Sequence, residues 1–440
     1  MARHVVVLGG GASGEAFMGA LRRRDKEIRM TLVEHELVGG ECSYWACIPS
    51  KTLLRPLEVA FRAHYAPGVS ATVDPVQVFK WRDDVAEKDD TKQAEWVRGL
   101  GADVVRGTAR IVEPGRVEVD GQALEYDELL VATGSVPTVP PIEGLDEVGA
   151  WTSREGTSAS TVPESLAVVG AGAVGCELAQ FYARAGSKVT LVQSGDYILP
   201  RIDRDAGDLL AGLLDEEGVE IHLNARATSV ERTNGGIRLE LRGEKPIEAA
   251  NILISTGRKP NVEGLGLENI DVKVGRQGIE VDDRLSADDH VWAAGDVTGV
   301  ALFTHLGKYQ GRVAAANVAG VEAHADYRAI PSSVFTDPQV ASVGNTSGEG
   351  AVVSKWDVSK VSRASTFQKP KRPGFVKLFA DPDRRVLVGA VLVGPEAGEW
   401  MGQVTLAIRA EVPVDVLLDT IQPFPTFSES IFFAARELGL

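Results

Sequence analysis

Arg3-His4-Val5-Val6-Val7-Leu8-Gly9-Gly10-Gly11-Ala12-Ser13-Gly14 decides the fold. Arg3 to Leu8 is a short β-branched apolar run, which reads as a buried strand. It meets a glycine-rich turn, and a helical pattern follows through Phe17, Leu21 and Arg24. A second apolar strand, Ile28 to Val33, ends at Glu34, 20 residues after Gly14. In such a unit the first glycine permits the tight turn, the second lets backbone approach a pyrophosphate, and the third lets helix pack on strand. The helix N-terminus offers unpaired N–H groups to the phosphates. Gly9, Gly11, Ala12, Ser13 and Gly14 are therefore candidate phosphate contacts, and Glu34 a candidate acceptor for ribose hydroxyls.

The arrangement returns downstream. Strand Ser165 to Val169 meets Gly170-Ala171-Gly172-Ala173-Val174-Gly175, a helix runs to Ala185, and strand Lys188 to Val192 follows. Two copies about 160 residues apart predict two dinucleotide-binding domains. Gly170, Gly172, Val174 and Gly175 are the second set of candidate contacts. The ribose position here falls on Gln193, 18 residues after Gly175. It carries no carboxylate to repel a 2′-phosphate, and Ser194 and Arg201 are available to meet one. The expectation is NADPH in preference to NADH.

At about 150 residues per domain, 440 residues suggest roughly three domains. A 44% hydrophobic, 25% charged chain is neither disordered nor fibrous. The net charge, 46 − 62 = −16, argues against nucleic acid and anionic membranes as partners. No apolar run reaches 18 residues, so no membrane span is expected. The opening lacks the small-residue cleavage site of a signal peptide, which makes the cytoplasm the expected location. Three cysteines exclude a disulfide-stapled secreted fold. Two of them lie five residues apart, which points to redox or metal chemistry.

Those two stand in Gly39-Gly40-Glu41-Cys42-Ser43-Tyr44-Trp45-Ala46-Cys47-Ile48-Pro49-Ser50-Lys51. Here the chain resembles the class I pyridine nucleotide-disulfide oxidoreductases, the family of dihydrolipoamide dehydrogenase, glutathione reductase and mercuric reductase. Leu130-Val131-Ala132-Thr133-Gly134-Ser135 looks like the strand closing the first FAD segment. Ser255-Thr256-Gly257-Arg258-Lys259-Pro260-Asn261 looks like the close of the NAD(P) domain. Ala293-Ala294-Gly295-Asp296 is similar to the second FAD motif, and Phe335-Thr336-Asp337-Pro338 to the start of the dimer-interface domain.

The resemblance implies an α/β fold with two Rossmann-like dinucleotide-binding domains plus a C-terminal α+β dimer-interface domain. The implied boundaries are 1–148 and 266–325 for FAD, 149–265 for NAD(P) and 326–440 for dimerisation. Val139-Pro140-Pro141-Ile142 reads as a hinge. The implied cofactors are FAD, one per chain, and NADPH or NADH; the implied partners are a second copy and a small-molecule electron acceptor. Cys42 is then the interchange thiol, Cys47 the thiolate against the flavin, and Lys51 a residue near flavin N5 paired with Glu177. Gly40, Glu41, Ala109, Thr133, Gly134, Ser135, Gly257, Arg258, Asp296, Phe303, Thr304 and His305 complete the expected cofactor surroundings. A helix dipole and a nearby cation are expected to lower the pKa at the cysteine pair. A zinc site would need two more ligands, and Cys176 reads as a small core residue, so no metal is expected.

The tail departs from the family. Where most members have His-x-His-Pro-Thr-x-Ser-Glu, this chain has Gln422-Pro423-Phe424-Pro425-Thr426-Phe427-Ser428-Glu429. Phe424 occupies the position of the acid–base histidine, and Glu429 remains. A positioned general base contributes about 10² to 10⁴ in rate, so efficient lipoamide or glutathione chemistry is not expected. A C-terminal Cys-Cys is missing, which argues against mercuric reductase. The expected activity is transfer of electrons from NAD(P)H through FAD to a disulfide, quinone, dye or oxygen. One rival is an enzyme like 2-ketopropyl-coenzyme M reductase/carboxylase, in which Phe424 excludes protons, although those relatives also alter the Glu. The other is a non-catalytic flavoprotein sensor. Tyr44 and Trp45 replace the family's small residues, either as packing or to reshape the face of the cysteine pair.

Overall fold

The computed structural model describes residues 3–440. The chain forms two compact units, each built from three stretches. The first comprises the chain up to Ile48, Ala86–Thr138 and Gly257–Asp326; the second comprises Pro49–Val85, Val139–Thr256 and Tyr327–Leu440.

The first unit is organised by a six-stranded sheet. Its order is Ser286–Asp288, Val291–Ala293, Glu128–Val131, His4–Leu8, Arg29–Glu34 and Ala102–Arg106, with only the Ser286 edge strand antiparallel. Val5 to Leu8 are buried on both faces, as a central parallel strand requires. Val5 and Val7 join one apolar cluster, Val6 and Leu8 another, which is the two-residue period of a strand. Helix Ala12–Arg24 covers one face beside helix Thr304–Val318. The two approach closely because the crossing is lined by small residues: a Cβ on Gly311 would lie 2.5 Å from the Ser13 carbonyl oxygen. Phe17, Met18 and Leu21 are fully buried beneath, each worth about 1.5–3 kcal/mol of transfer free energy.

The second unit holds a four-stranded parallel sheet, Glu220–His222, Lys188–Val192, Ser165–Val169 and Asn251–Ile254. It also holds a five-stranded antiparallel sheet in the order Pro331–Val334, Gln339–Gly344, Val386–Gly394, Phe375–Asp381 and Val352–Asp357. Strand alternation divides the labour of that sheet. Val391 and Val393 join the core that contains the parallel sheet, while Ala390 and Leu392 face the C-terminal helices Gly402–Arg409 and Glu429–Arg436. Two highly exposed apolar side chains are on the loop before the last helix, where Ile421 is 95% and Phe424 73% exposed.

Candidate active site

In the first unit the glycine turn is built by backbone geometry. Gly9 has φ +101°, and a Cβ there would lie 2.4 Å from the Ala132 carbonyl oxygen. A Cβ on Gly14 would lie 2.2 Å from the Gly9 carbonyl oxygen, so the helix sits directly on the strand end. Gly11 caps the helix starting at Ala12 with no side-chain acceptor, leaving the first N–H groups for a ligand. Glu34 is buried at the end of its strand; its carboxylate accepts from the Gly10 amide (2.7 Å) and the Glu36 amide (2.8 Å). The Ser13 side chain turns to the helix crossing, which leaves its backbone in the first turn of the helix. Its hydroxyl lies where a Cβ on Gly295 or Gly307 would be 2.3 Å away, so it fills the crossing between helices.

A chain of polar groups lies beside the cysteines. Glu41 pairs with Arg258, whose Nε donates to Ser135 Oγ (2.8 Å); that hydroxyl donates to Asp296 (2.6 Å). Burial pushes the Asp296 carboxyl above its ordinary value, partly offset by Ser135 and Arg258. Thr133 Oγ1 donates to the Asn261 carbonyl (2.7 Å), and Gly134 accepts from the Asn261 amide (2.9 Å). Ala109 starts an antiparallel strand and is buried. Gly257 has φ +122° at the start of the strand pair Arg258–Pro260 and Ser135–Pro137. Phe303 stacks on His305 at 5.2 Å, and His305 is exposed.

Cys42 lies inside the short helix Gly40–Tyr44, and Cys47 begins helix Cys47–Ala63. Both are thiols. Cys42 is hydrogen-bonded to Cys47, and Cys47 Sγ lies 3.6 Å from Thr304 Oγ1. The expectation of a lowered pKa is overturned at Cys42. The hydrogen bond to Cys47, then burial, pushes this thiol well above the ordinary range. Cys47 begins a helix of 17 residues, whereas Cys42 sits in the first turn of one of 5. Tyr44 donates to the Val38 carbonyl (2.8 Å) and is buried with Trp45, so both are packing residues. Cys176 is also a core residue, fully buried against the Ala171 carbonyl.

In the second unit the same turn recurs. Gly170 has φ +103°, and a Cβ on Gly175 would lie 2.0 Å from the Gly170 carbonyl oxygen. A Cβ on Gly172 would meet nothing within 4 Å, and Val174 on the first helical turn is exposed, so this end is open to a ligand. Gln193 is buried and its Oε1 accepts from the Ala171 amide (3.2 Å), the counterpart of Glu34. Ser194 and Arg201 are exposed. Arg204, also exposed, pairs with Asp196. Lys51 and Glu177 come together as expected: Nζ donates to Oε2 at 2.7 Å, with Glu177 buried and Lys51 one-third exposed. Sequence reasoning missed Phe335. Its amide donates to Glu177 Oε1 (2.8 Å) and its ring lies 4.7 Å from Lys51 Nζ. The contact joins residues distant in sequence, and only the Phe335-Thr336-Asp337-Pro338 motif hinted at importance there.

Glu429 accepts from the Thr426 amide (3.1 Å) and so braces the loop that carries Phe424. Among the described residues no group of three or more His, Cys, Asp or Glu is placed to hold a metal ion. No described helix is long and apolar enough to cross a membrane.

Residues 3–323 match the pyridine nucleotide-disulphide oxidoreductase family, and residues 330–435 match its dimerisation domain. The chain belongs to this family. It is an FAD flavoprotein oxidoreductase with a disulfide redox centre, uses a pyridine nucleotide and is a homodimer. It is similar to dihydrolipoyl dehydrogenase 2 of Haloarcula marismortui, 34% identical over 98% of this chain and 95% of that protein. It is similar in structure to LpdA of Mycobacterium tuberculosis (TM-score 0.90, 30% identity, 99% of this chain and 100% of that one). It is also similar to a Cu(II) complex of the HOCl-induced flavoprotein disulfide reductase RclA of Escherichia coli (TM-score 0.87, 27% identity, 97% and 98% covered).

Proposed function

We propose that this protein is an NAD(P)H-dependent oxidoreductase whose redox pair is Cys42–Cys47 and whose acceptor needs no general base beside Cys42. The observation that carries this is Phe424, an exposed apolar ring on the loop where the family has its acid–base histidine. Bound FAD supplies the route by which a hydride from NAD(P)H becomes an electron pair on the cysteines. The chain's own residues divide the remaining work. The open helix starts after Gly11 and Gly172 receive the phosphates, with Glu34 and Gln193 bracing the two turns. Asp296, Ser135, Arg258 and Glu41 fix the flavin side, and Glu177 holds Lys51 in place. NADPH is preferred over NADH, because Gln193 brings no charge against a 2′-phosphate and Arg201 is free to pair with one. Segments 1–148 and 266–325 serve FAD, 149–265 serves NAD(P), and 326–440 the dimer. The cytoplasm is the proposed location.

Cys42 must lose its proton without help from Phe424. Two acceptor classes avoid that requirement. Quinones, dyes and oxygen take electrons from the flavin directly and bypass Cys42. A second reading is a thiophilic oxidising metal ion, favoured by the likeness to RclA, whose solved complex contains Cu(II). A metal ion displaces thiol protons by itself. The step balances as two thiols and two Cu(II) giving one disulfide, two Cu(I) and two protons. An acceptor screen under NADPH and NADH, in wild type and Cys42→Ser, tests both. Quinone reduction should survive the substitution and Cu(II) reduction should not. Rapid reduction of lipoamide or glutathione disulfide by wild type at neutral pH would refute the proposal.

A further inference from the structure

A cleft of about 560 Å³ in the second unit has a charge opposite to that of the chain. It runs between Leu209 on helix Arg204–Glu216 and the edge of the five-stranded sheet, and it is lined by Lys355, Lys360, Lys371 and Arg372. The single acid in its lining, Asp357, has a carboxylate oxygen committed to the Ser359 amide (2.8 Å). Lys355 and Arg372 are paired with carboxylates outside the lining, so Lys360 and Lys371 carry the unmatched positive charge, in a chain of net charge −16.

The cations differ in how far they are satisfied. Lys355 is paired with Asp205 (2.9 Å). Lys371 donates to the Ser359 carbonyl (2.7 Å), and Lys360 lies 5.1 Å over the Trp356 ring; among the described residues neither has an ion pair to a carboxylate. The Arg372 side chain is 9% exposed. Its Nη2 meets Glu217 (3.2 Å), while its Nη1 is buried with no hydrogen-bond partner. The guanidinium lies over the Phe61 and Tyr65 rings at 4.9 and 5.7 Å, so Arg372 contributes fixed positive charge at the cleft wall while Lys360 and Lys371 are the groups left to meet an anion. The loop carrying two of these cations reads Lys369-Pro370-Lys371-Arg372-Pro373-Gly374. Pro370 and Pro373 each fix their own φ, which restrains the backbone on either side of Lys371 and Arg372.

From these observations we infer that the cleft is a binding site for a small phosphate-bearing polyanion, separate from the two dinucleotide turns. Its volume lies in the range of small-molecule sites, about 300–1,000 Å³. Lysine ammonium groups act as point charges toward phosphate, and the arginine supplies directed N–H groups.

The test is calorimetric titration of pyrophosphate into the FAD-loaded homodimer saturated with NADP⁺, at ionic strength held constant with sodium chloride. Saturation of both dinucleotide sites leaves the cleft as the vacant phosphate site. One saturable event per chain is expected, and Lys360→Glu/Lys371→Glu should weaken it about tenfold or more. Lys360→Ala, a milder change at an exposed position, should weaken it severalfold and guards against misfolding of the double variant. Binding unchanged in Lys360→Ala, or no saturable signal above the chloride control, would overturn the proposal. Citrate binding as tightly as pyrophosphate would overturn the phosphate assignment.

Discussion

Glu177→Ala removes the residue on which the Lys51 arrangement depends. Glu177 accepts from Lys51 Nζ at 2.7 Å and from the Phe335 amide at 2.8 Å. A hydrogen bond to a charged group is worth about 1.5–3 kcal/mol. Lys51 is one-third exposed, so the lower part of that range applies to the pair. The lost amide contact adds about 1 kcal/mol. The expected destabilisation is therefore about 3 kcal/mol, of which about 2 kcal/mol concerns the position of Lys51. If that part is spent on reaching the reactive arrangement, NADPH reduction of the flavin slows about 30-fold. Anaerobic rapid mixing, following loss of flavin absorbance, measures it. Glu177→Gln keeps an acceptor for the Phe335 amide and removes the charge beside Lys51. It should recover much of the thermal stability while leaving reduction slow. An unchanged reduction rate in Glu177→Ala would remove Glu177 and the Lys51 pair from the site.

Four further outcomes are expected. Because the hydrogen bond to Cys47 is the largest cause of the raised Cys42 pKa, Cys47→Ala should speed alkylation of Cys42 at neutral pH, with wild-type labelling rising only toward alkaline pH; equal rates in mass-spectrometric time courses would contradict this. Phe424→His should raise disulfide reductase activity by about tenfold or more, within the usual contribution of a general base, and leave quinone reduction nearly unchanged; no gain in either activity would detach Phe424 from the chemistry. Gln193→Glu should keep the acceptor for the Ala171 amide but add charge at the ribose position, shifting kcat/KM toward NADH; strong NADH selectivity already in wild type would defeat the argument. Asp337 is buried, and although burial alone would raise its carboxyl, Arg62 and Arg184 hold it below 3.8. Its contribution is thus complete above pH 3.8 and lost as pH falls through the depressed value. Asp337→Asn should destabilise the protein by about 3–5 kcal/mol and flatten the acid limb of urea-unfolding stability; an unaltered acid limb would count against the arginine pairing.

The local features of the fold were legible because each rests on short-range chemistry. Gly9, Gly14, Gly170 and Gly175 stand where a Cβ would strike backbone, so their spacing in sequence is a record of close approach. The Lys51–Glu177 pair was accessible through family resemblance, not periodicity, since 126 residues separate the partners. The motif spacing did not show where the Ser13 side chain goes: Gly295 and Gly307 leave a recess that its hydroxyl fills. The pKa expectation at Cys42 failed for a related reason. A helix-dipole argument says nothing of the partner thiol, and only the coordinates show Cys42 buried and hydrogen-bonded to Cys47. Phe335 and the cationic cleft depend on long-range packing and left no distinct mark in the sequence.

Retention of Glu429 without its histidine has a local explanation. In the family the carboxylate orients the acid–base residue, so loss of the histidine would leave it without that task. Here Glu429 accepts from the Thr426 amide, and Thr426 Oγ1 donates to the Pro423 carbonyl (2.8 Å). These bonds hold the turn that presents Phe424, whatever side chain stands there. A braced loop that presents an apolar ring differs from a loop that has merely decayed. With no base supplied at the family's position, Cys42 must lose its proton unaided before it can attack a disulfide substrate. The arrangement is compatible with an acceptor that displaces the proton itself, or with one that never meets the thiol.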